Sequence, residues 1–335
     1  MTSAADLATL AAELRASRGL AAKADIAAAA AALGVGGASA VPVGDDCAAL
    51  PDGDGHLLFA IEGFMNEFVA SDPWFAGWCG VMVNVSDILA MGGRPVAVVD
   101  ALWSDGEAAA APVLAGMRAA AEAYGVPIVG GHTNSRSAQG QLSVAILGRA
   151  KRLLTSFDAR RSERLIAAID LSGRYREPFD NFEAATGTAP GRLRRMMEIL
   201  PGIAEDGLSR AAKDISQAGL VGTAAMLAEC SGVGVVIDVA AVPRPQGVPL
   251  VRWLKSFPSF GFLLTAREEA VAAIIARFAA EGVAAADIGA VTADRCVTVT
   301  LSGAAETIRD LAATPLLGCG PPLDTPVHPI RESAA

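Results

Sequence analysis

The sequence predicts an α/β protein of two domains, and three observations support this prediction. Its 335 residues suffice for two domains of ordinary size, each with its own core. Hydrophobic residues make up 52% of the chain and charged residues 19%, which is a globular composition. Short β-branched runs such as 96–102 alternate with alanine-rich helical segments such as 107–124. We place the domain boundary after residue 152, which gives domains 1–152 and 153–335.

The first domain begins with two predicted helical stretches within residues 4–33, parted near Gly19. An apolar strand then reaches Gly44, Asp45 and Asp46, so that two adjacent carboxylates follow a glycine at a strand end. Adjacent side chains of an extended strand point to opposite faces. We therefore expect only one of the two carboxylates to reach a given metal ion directly.

A second acidic cluster, PDGDG at residues 51–55, has the composition of a hairpin turn. We expect it to face solvent. The strand that follows, 56–61, leads into Glu62, which is another carboxylate at a strand end.

The stretch VMVNVSDILAMGGRP, residues 81–95, predicts a helix with one apolar face, because apolar residues recur at the i, i+4, i+7 and i+8 positions from Val81. Asn84 and Asp87 interrupt this face. They are three residues apart, so their amide and carboxylate project from one side and can share a ligand or a metal ion. Two glycines, an arginine and Pro95 then end the helix. A solvated polar pair is the alternative interpretation.

A further candidate site follows the strand that precedes residue 130 and comprises Gly130, Gly131, His132, Thr133 and Asn134. A double glycine after a strand lets the backbone approach a ligand closely, and its N–H groups can cradle an anion. A hairpin or loop needs glycines too, and a single histidine is also common as a structural residue. The motif alone leaves both interpretations open.

The second domain carries its own strand and helix pattern, with one candidate site. Asp214 and Ser216 lead into a predicted helix at 219–231. Ser216 can cap this helix, and the N–H groups near its start can hold a phosphate.

Charge and cysteine usage exclude several classes of protein. The net charge of −9 argues against nucleic-acid binding, which needs clustered Lys and Arg. A divalent metal held by carboxylates can still make an acidic pocket a phosphate site. The five cysteines form no CxxC pair, which fits a reducing cytosol better than a disulfide framework or a zinc site. The N-terminus lacks a basic targeting region, and glycines interrupt the uncharged run 26–44, so we expect a cytoplasmic protein without a membrane segment.

Taken in order, GDDCA at 44–48, Glu62, NVSDILAMGGRP at 84–95 and GGHT at 130–133 resemble the N-terminal half of the aminoimidazole ribonucleotide (AIR) synthetase superfamily. LIAAIDLSGRY at 165–175 and the segment 211–238 are similar to its C-terminal domain. This superfamily includes thiamine-monophosphate kinase, selenophosphate synthetase, a hydrogenase maturation dehydratase and formylglycinamidine ribonucleotide synthetase. The resemblance is greatest to the uncharacterised AIR synthase-related group.

The resemblance implies an N-terminal domain that binds Mg²⁺ and ATP and forms a homodimer, with ATP near the interface, and a C-terminal domain on the side of a small-molecule substrate. It implies metal ligands at Asp45, Asp46, Glu62 and Asp87. It implies catalytic roles for Asp46, Asp87 and His132. The residues implied to bind the nucleotide are Gly44, Asn84, Gly130, Gly131, Thr133, Asn134, Asp214 and Ser216.

Differences from the family motifs reduce the number of candidate activities. Glu62 stands where thiamine-monophosphate kinase has an aspartate, and His132 replaces the aspartate of its GGDT while matching the GGHT of selenophosphate synthetase. Gln217 replaces the second aspartate of the kinase's DISDGL, which disfavours that kinase. No Cys-Gly loop precedes residue 40, which disfavours selenophosphate synthetase. We therefore favour activation of an amide or carboxyl oxygen by ATP followed by attack of nitrogen. A small-molecule kinase and a nucleotide-binding regulator without turnover are the alternatives.

Overall fold

The computed structural model describes residues 4–21, 23, 25–35 and 39–321. Its contacts divide the chain into two compact units. Unit I comprises Asp46–Leu153 and Gly187–Glu205. Unit II comprises the described parts of Met1–Asp45, Leu154–Thr186 and Asp206–Ala335.

The described residues form helices and strands in alternation, as the mixed pattern predicts. The helices are α1 (Ala4–Arg15), α2 (Arg18–Ala21), α3 (Asp25–Leu33), α4 (Asn66–Ser71), α5 (Pro73–Ala90), α6 (Gly106–Tyr124), α7 (Pro190–Met196), α8 (Ile199–Glu205), α9 (Gly219–Ser231), α10 (Leu250–Lys255) and α11 (Glu268–Ala280). The strands are β1 (Ala48–Asp52), β2 (Gly55–Phe64), β3 (Arg94–Asp105), β4 (Ile128–Asn134), β5 (Arg136–Ala150), β6 (Arg164–Ile169), β7 (Arg174–Tyr175), β8 (Asn181–Glu183), β9 (Ala211–Asp214), β10 (Gly234–Asp238), β11 (Phe257–Pro258), β12 (Gly261–Ala266), β13 (Ala284–Thr292), β14 (Cys296–Leu301) and β15 (Ala304–Asp310).

The sheet of unit I has the strand order β1-β2-β5-β3-β4. Strands β3 and β4 are parallel, and the other neighbours are antiparallel. Helix α5 packs on β2 and β5, and α6 packs on β3. One face of the sheet is thus covered by the long helices.

Helix α5 is longer than the stretch predicted from its apolar spacing. It begins at Pro73, and the side chain of Asp72 accepts a hydrogen bond from the Phe75 N–H at 3.3 Å. Proline at the first helical position and aspartate before it are favourable at a helix start. The added turns contain Trp74 and Trp78, whose rings stack with centroids 5.5 Å apart.

Two glycines allow α5 and α6 to pack in close contact. A Cβ built on Gly77 would lie 2.0 Å from the Val113 carbonyl oxygen, and one on Gly116 would lie 1.8 Å from the Trp74 carbonyl oxygen. Any larger side chain would push the helices apart. This close contact fixes the position of α5, which carries Asn84 and Asp87.

The predicted hairpin lies between β1 and β2, with Asp52 opposite Gly55. The Asp54 side chain is 81% exposed, and Arg149 forms ion pairs with Asp52 and Asp54. The expectation that this acidic cluster faces solvent is confirmed.

Unit II is built on a seven-stranded sheet with the order β15-β14-β10-β13-β6-β12-β9. Its neighbours are antiparallel except for the parallel pair β10 and β14. A small three-stranded sheet, β11-β8-β7, belongs to the same unit. Residues of α1 and α9 share one hydrophobic core with those of the large sheet.

The two units differ from two continuous halves of the chain. One boundary follows Leu153, one residue after the predicted boundary. However, α7 packs on α6 and α8 packs on α5, so both helices belong to unit I. Similarly, α1 packs on β14 and β15 and belongs to unit II. Arg15 of α1 also forms an ion pair with Glu306 at 3.0 Å.

Within the described ranges, none of the helices combines the length and the apolar character that crossing a bilayer requires.

Candidate functional site

Two of the predicted catalytic carboxylates lie close together in unit I. Asp46 precedes β1, and Asp87 lies in the last turn of α5. An oxygen of Asp46 and an oxygen of Asp87 are within 4.8 Å of each other. Asp87 is buried and Asp46 is half-buried. Two carboxylates at this distance repel each other, and a bound cation offsets that repulsion.

Asn84 anchors α5 to the sheet. It is fully buried, and its Nδ2 donates to the Gly80 carbonyl at 2.8 Å and to the Val144 carbonyl at 3.0 Å. Its Oδ1 is buried and accepts no hydrogen bond from the residues that the structure describes. The predicted sharing of one ligand with Asp87 therefore does not involve the amide nitrogen, which is already bonded within the fold.

Asp45 has different surroundings from its neighbour Asp46. Thr155 Oγ1 donates to Asp45 Oδ2 at 2.5 Å, and Ser156 Oγ donates to Oδ1 at 2.7 Å. The Ser156 N–H also contacts both oxygens, at 3.1 and 3.0 Å. Both oxygens of Asp45 thus fix the 155–156 segment in unit II. Both oxygens of Asp45 are therefore already bonded within the fold, and its implied role as a metal ligand stays a prediction.

Gly44 is held in place by packing. Its φ is +120°, and a Cβ on it would lie 3.0 Å from Cys319 Cβ and 3.1 Å from Cys230 Sγ. Burial raises the pKa of the Cys230 thiol well above its ordinary value, and burial also raises the pKa of Cys319. Both thiols are therefore protonated at neutral pH, and they act as packing groups around the glycine.

Glu62, the fourth predicted metal ligand, shares a cross-strand row with an aspartate that the sequence analysis did not identify. Glu62 on β2 and Asp100 on β3 both lie opposite Val144 on the intervening strand β5. A Cβ on Gly80 of α5 would lie 2.8 Å from Val144 Cγ2, so Val144 points toward α5. Directly opposite residues share a face, and both carboxylates therefore lie on the α5 side of the sheet.

Asp100 is half-buried, and this burial raises the pKa of its carboxyl above the ordinary value. A signal for it exists in the sequence, because Asp100 is the single charged residue in the apolar run 96–102. A charge inside a predicted buried strand is unusual and indicates a specific environment.

The GGHT motif lies within a strand, which corrects the expectation that it follows one. Strand β4 continues to Asn134 and pairs in parallel with β3. Gly131 is opposite Asp100, and its Cβ position would be 2.3 Å from Asp100 Oδ1. A second β4 glycine, Gly130, has nothing within 4 Å of its Cβ position. The lack of a side chain at Gly131 therefore makes room for the Asp100 carboxylate, whereas the Cβ position of Gly130 is surrounded by open space.

The alternation of β4 separates the remaining motif residues. Thr133 is on the same face as Gly131, toward α5. His132 and Asn134 are on the opposite face, where the His132 ring lies 5.8 Å from the Trp103 ring. Within unit I, the structure does not bring His132 to the face that α5 covers. Its catalytic role stays a prediction.

The predicted site residues of the second domain belong to unit II. Asp214 is buried at the end of β9. The predicted capping by Ser216 is wrong, since the N-cap of α9 is Ala218 and no side chain caps it. Instead, the Ser216 carbonyl accepts from the Gly219 N–H at 2.8 Å, and the Ser216 Oγ is buried without a partner among the described residues. The nucleotide-binding roles of Asp214 and Ser216 stay predictions.

Comparison with known families matches both parts of the chain. The family model "AIR synthase related protein, N-terminal domain" matches residues 44–150, and "AIR synthase related protein, C-terminal domain" matches residues 176–302. The uncharacterized protein sll0787 of Synechocystis sp. is 47% identical over 286 residues, which are 85% of this chain and 88% of the relative.

More distant relatives have named activities. Subunit PurL of phosphoribosylformylglycinamidine synthase from Methanosarcina acetivorans is 26% identical over 309 residues, 84% of this chain. The match covers 43% of that relative, so the chain spans less than half of its length. A solved structure of T. maritima PurL complexed with ATP has a TM-score of 0.69 at 20% identity, covering 80% of this chain and 46% of that one. This last likeness shows the fold.

Proposed function

Because this chain belongs to the family of AIR synthase-related proteins, we propose that it is a Mg²⁺-dependent enzyme that uses ATP to activate a small molecule. The favoured chemistry is phosphorylation of an amide or carboxyl oxygen, followed by attack of nitrogen on the activated carbon. The name of the PurL relatives, a synthase of an amidine, supports this order over a simple kinase.

The observation that carries the proposal is the approach of Asp46 and Asp87 to within 4.8 Å in unit I. Asp46 lies in the GDD segment and Asp87 in the NVSD segment, and both match acidic positions of the superfamily that the sequence resembles. Asp46 and Asp87 are 41 positions apart in the sequence, so the fold brings them together. Both lie in the part of the chain matched by the N-terminal family model.

The donor set fits magnesium. Asp46 and Asp87 offer carboxylate oxygens, and Mg²⁺ in nucleotide enzymes is commonly bound through one or two carboxylates together with substrate phosphates. We propose these two residues as its ligands, with Glu62 as a further candidate. When bound, the metal ion neutralises charge on the phosphates of ATP.

The protein's own residues hold the reactants in position. Asn84 fixes the turn of α5 that precedes Asp87, because it bonds that helix to β5. Strand β4 is at the edge of the sheet, so its outward N–H groups are donors for phosphate oxygens, and the Thr133 hydroxyl is a further donor on the α5 face. The open space at Gly130 lies on the opposite face. Phosphoryl transfer needs little covalent help from protein, and such positioning supplies much of the catalysis.

The proposed reaction has two chemical steps. The acceptor oxygen attacks the γ-phosphorus, and the bond between that phosphorus and the bridging oxygen breaks, releasing ADP. A nitrogen nucleophile then attacks the activated carbon, and inorganic phosphate leaves with the former acceptor oxygen. A kinase would stop after the first step, and a regulator would bind ATP without either step.

We also propose a homodimer formed through unit I, with ATP near the interface. The sheet face opposite α5 carries exposed apolar side chains, including Phe59 at 52% and Ile61 at 67% exposure. Ile61 lies opposite Ala145, which in turn lies opposite Val99, so these residues form one apolar row. Exposed apolar patches of this kind mark association surfaces.

Calorimetry with ATP tests the binding site. Wild type is expected to bind ATP in the presence of Mg²⁺ and to lose most of this affinity without the metal. Asp87→Asn is expected to bind roughly tenfold to a hundredfold more weakly, as for loss of one charged contact. Asp54→Asn, which removes an exposed carboxylate of the same unit, is the matched control. Equal affinity in all three proteins would overturn the proposal.

Phosphorus NMR distinguishes the reaction types. Incubation with ATP and an extract of small metabolites is expected to yield ADP and inorganic phosphate only when a suitable nitrogen donor is present. A stable new phosphate ester would instead identify a kinase. Tight ATP binding with neither product would identify a regulator.

A further inference from the structure

Unit II contains a small cleft lined by arginines, at a distance from the predicted nucleotide residues. Its charged lining residues are Arg160, Glu163, Arg210 and Arg267, and its volume is about 70 Å³. Three positive side chains and one negative side chain stand out in a protein with a net charge of −9. From this cleft we propose a second anion site, which binds a phosphate group.

The cleft lies at the opposite end of the strands from Asp214. Strand β12 pairs with β9 so that Thr265 is opposite Ala211 and Phe262 is opposite Asp214. Ala266 and Arg267, which line the cleft, follow Thr265. The cleft is therefore separated from Asp214 by the length of a four-residue strand, roughly 10 Å. It is a different place from the predicted site at the start of α9.

Arg160 provides the observation that points to a ligand. Its side chain is only 17% exposed, and its Nε is buried without a hydrogen-bond acceptor among the described residues. Its terminal nitrogen is 3.6 Å from Asp158, which is a long ion-pair contact. The Nε has almost no accessible surface, so the partly exposed remainder of the guanidinium is the part that an anion in the cleft can contact.

Polar side chains beside the arginines are already bonded within the fold. Glu163 Oε2 accepts from the Arg160 backbone N–H at 3.0 Å and from Thr265 Oγ1 at 2.6 Å. Ser209 Oγ donates to the Ala211 and Thr265 carbonyls at 3.1 and 2.8 Å. These bonds make the base of the cleft rigid and leave the arginine side chains as the groups that face a ligand.

The chemistry of the lining selects a phosphate group. Guanidinium groups present several N–H donors in a plane and match the oxygens of phosphate. Arg210 is exposed at the rim, and Arg267 is exposed as well, with an ion pair to Glu269 at 3.2 Å. The small volume favours inorganic phosphate or the terminal phosphate of a sugar over a whole nucleotide.

Calorimetric titration with inorganic phosphate, in a buffer of constant ionic strength without other oxyanions, tests the site. Wild type is expected to bind phosphate, and Arg160→Gln is expected to weaken binding by roughly tenfold or more. Arg161→Gln changes the net charge equally at the next residue, which is exposed and outside the cleft, and is expected to change affinity less than about twofold. No binding by wild type at tens of millimolar phosphate, or equal loss in both variants, would overturn the proposal.

Further variants separate loss of the phosphate site from misfolding and from failure of the proposed function. Arg210→Gln alters an exposed residue of the cleft and is also expected to weaken phosphate binding. It provides the test if Arg160→Gln misfolds. Asp87→Asn is expected to retain phosphate binding, while Arg160→Gln retains Mg-ATP binding. Competition with ribose 5-phosphate distinguishes free phosphate from a phosphorylated metabolite as the ligand. If the sugar phosphate binds more tightly than inorganic phosphate, the ligand is a metabolite.

Discussion

Gly131 lies against the carboxylate of Asp100, so closely that a Cβ on the glycine would be 2.3 Å from Oδ1 and 2.8 Å from Cγ. The two residues are direct neighbours on the parallel strands β4 and β3. The second glycine of the GGHT motif is thus required by a neighbour inside the sheet. This packing requirement is independent of any contact that Gly131 makes with a phosphate group, and substitutions can test it.

Gly131→Ala is expected to lower the free energy of unfolding by about 1–3 kcal/mol, because the added methyl group must displace Asp100 or the strand. Chemical denaturation measures this change. Gly130→Ala is the matched control, since open space surrounds its Cβ position. The double variant Gly131→Ala with Asp100→Ala should recover part of the loss. Equal stability of the two glycine variants would contradict this explanation.

Asp45 and Asp46 are expected to behave oppositely although they are adjacent. Asp45→Ala removes the acceptor of Thr155 and Ser156 and should lower the free energy of unfolding by about 1–3 kcal/mol. Asp46→Asn should leave stability nearly unchanged and abolish most Mg-ATP binding. Thermal unfolding and calorimetry on the same two variants give both readouts. A stable Asp45→Ala protein that no longer binds Mg-ATP would reverse the two assignments.

Much of this site could be predicted from sequence because its motifs are local. The fold class and the family are confirmed, and the GDD and NVSD motifs identified the two carboxylates that the fold brings together. The expectation that only one of Asp45 and Asp46 reaches a metal ion rested on strand geometry, but both residues precede β1. The bonds of Asp45 to Thr155 and Ser156 are what distinguish it from Asp46.

What could not be predicted depends on contacts distant in sequence. Asn84 bonds to Val144, which lies 60 positions away, so its helix spacing could not reveal that its amide nitrogen is occupied. Continuation of β4 through two glycines is favoured by pairing with β3, which overrides their weak strand propensity. The charge of Asp100 within an apolar run is visible in the sequence, but only the pairing of β3 with β4 places its carboxylate against Gly131.

Dimerisation through the open sheet face predicts that Ile61→Lys is monomeric. Lysine at this position would place a charge within the apolar row formed with Ala145 and Val99. Light scattering after size-exclusion chromatography measures the mass of the 34.0 kDa chain and of its assembly. Leu114→Lys is the control, because Leu114 is also exposed but lies on α6. A wild-type monomer at all concentrations would refute the dimer.

The stability of the protein should respond to pH through Glu163. Burial raises the pKa of its carboxyl above the ordinary value of 4.5, against the opposing effect of hydrogen bonds from Thr265 and the Arg160 N–H. The folded state thus binds this proton more tightly than the unfolded state. Its stabilising contribution is complete below pH 4.5 and is lost as the pH rises through the folded pKa.

Glu163→Gln cannot ionise, so its free energy of unfolding relative to wild type should increase as the pH rises from about 4.5 and then level off. Denaturation at a series of pH values, in a buffer free of phosphate, measures the difference. Glu107→Gln, which changes an exposed residue on α6, should show no such trend. A difference that falls with pH would show that the carboxylate form is the stabilising one.

Glu229 holds the end of the described chain onto α9. Its carboxylate accepts hydrogen bonds from four consecutive backbone N–H groups, those of Leu316, Leu317, Gly318 and Cys319, and it is buried. Such a row of N–H groups is a common anion-binding arrangement, and here a side chain of the same unit fills it. The segment 316–319 is therefore tied to α9 by a buried carboxylate and not only by apolar packing.

Glu229→Gln leaves one acceptor oxygen and turns an NH₂ group toward donors, so it should lower the free energy of unfolding by about 3 kcal/mol. Hydrogen exchange followed by mass spectrometry should show faster exchange confined to peptides that contain residues 316–319. Glu281→Gln, which changes a glutamate at the end of α11, is the control and should leave these peptides protected. Loss of protection throughout unit II would mean that Glu229 stabilises the whole core. Unchanged protection would mean that the contacts of Leu316 and Leu317 with the core hold the segment without the carboxylate.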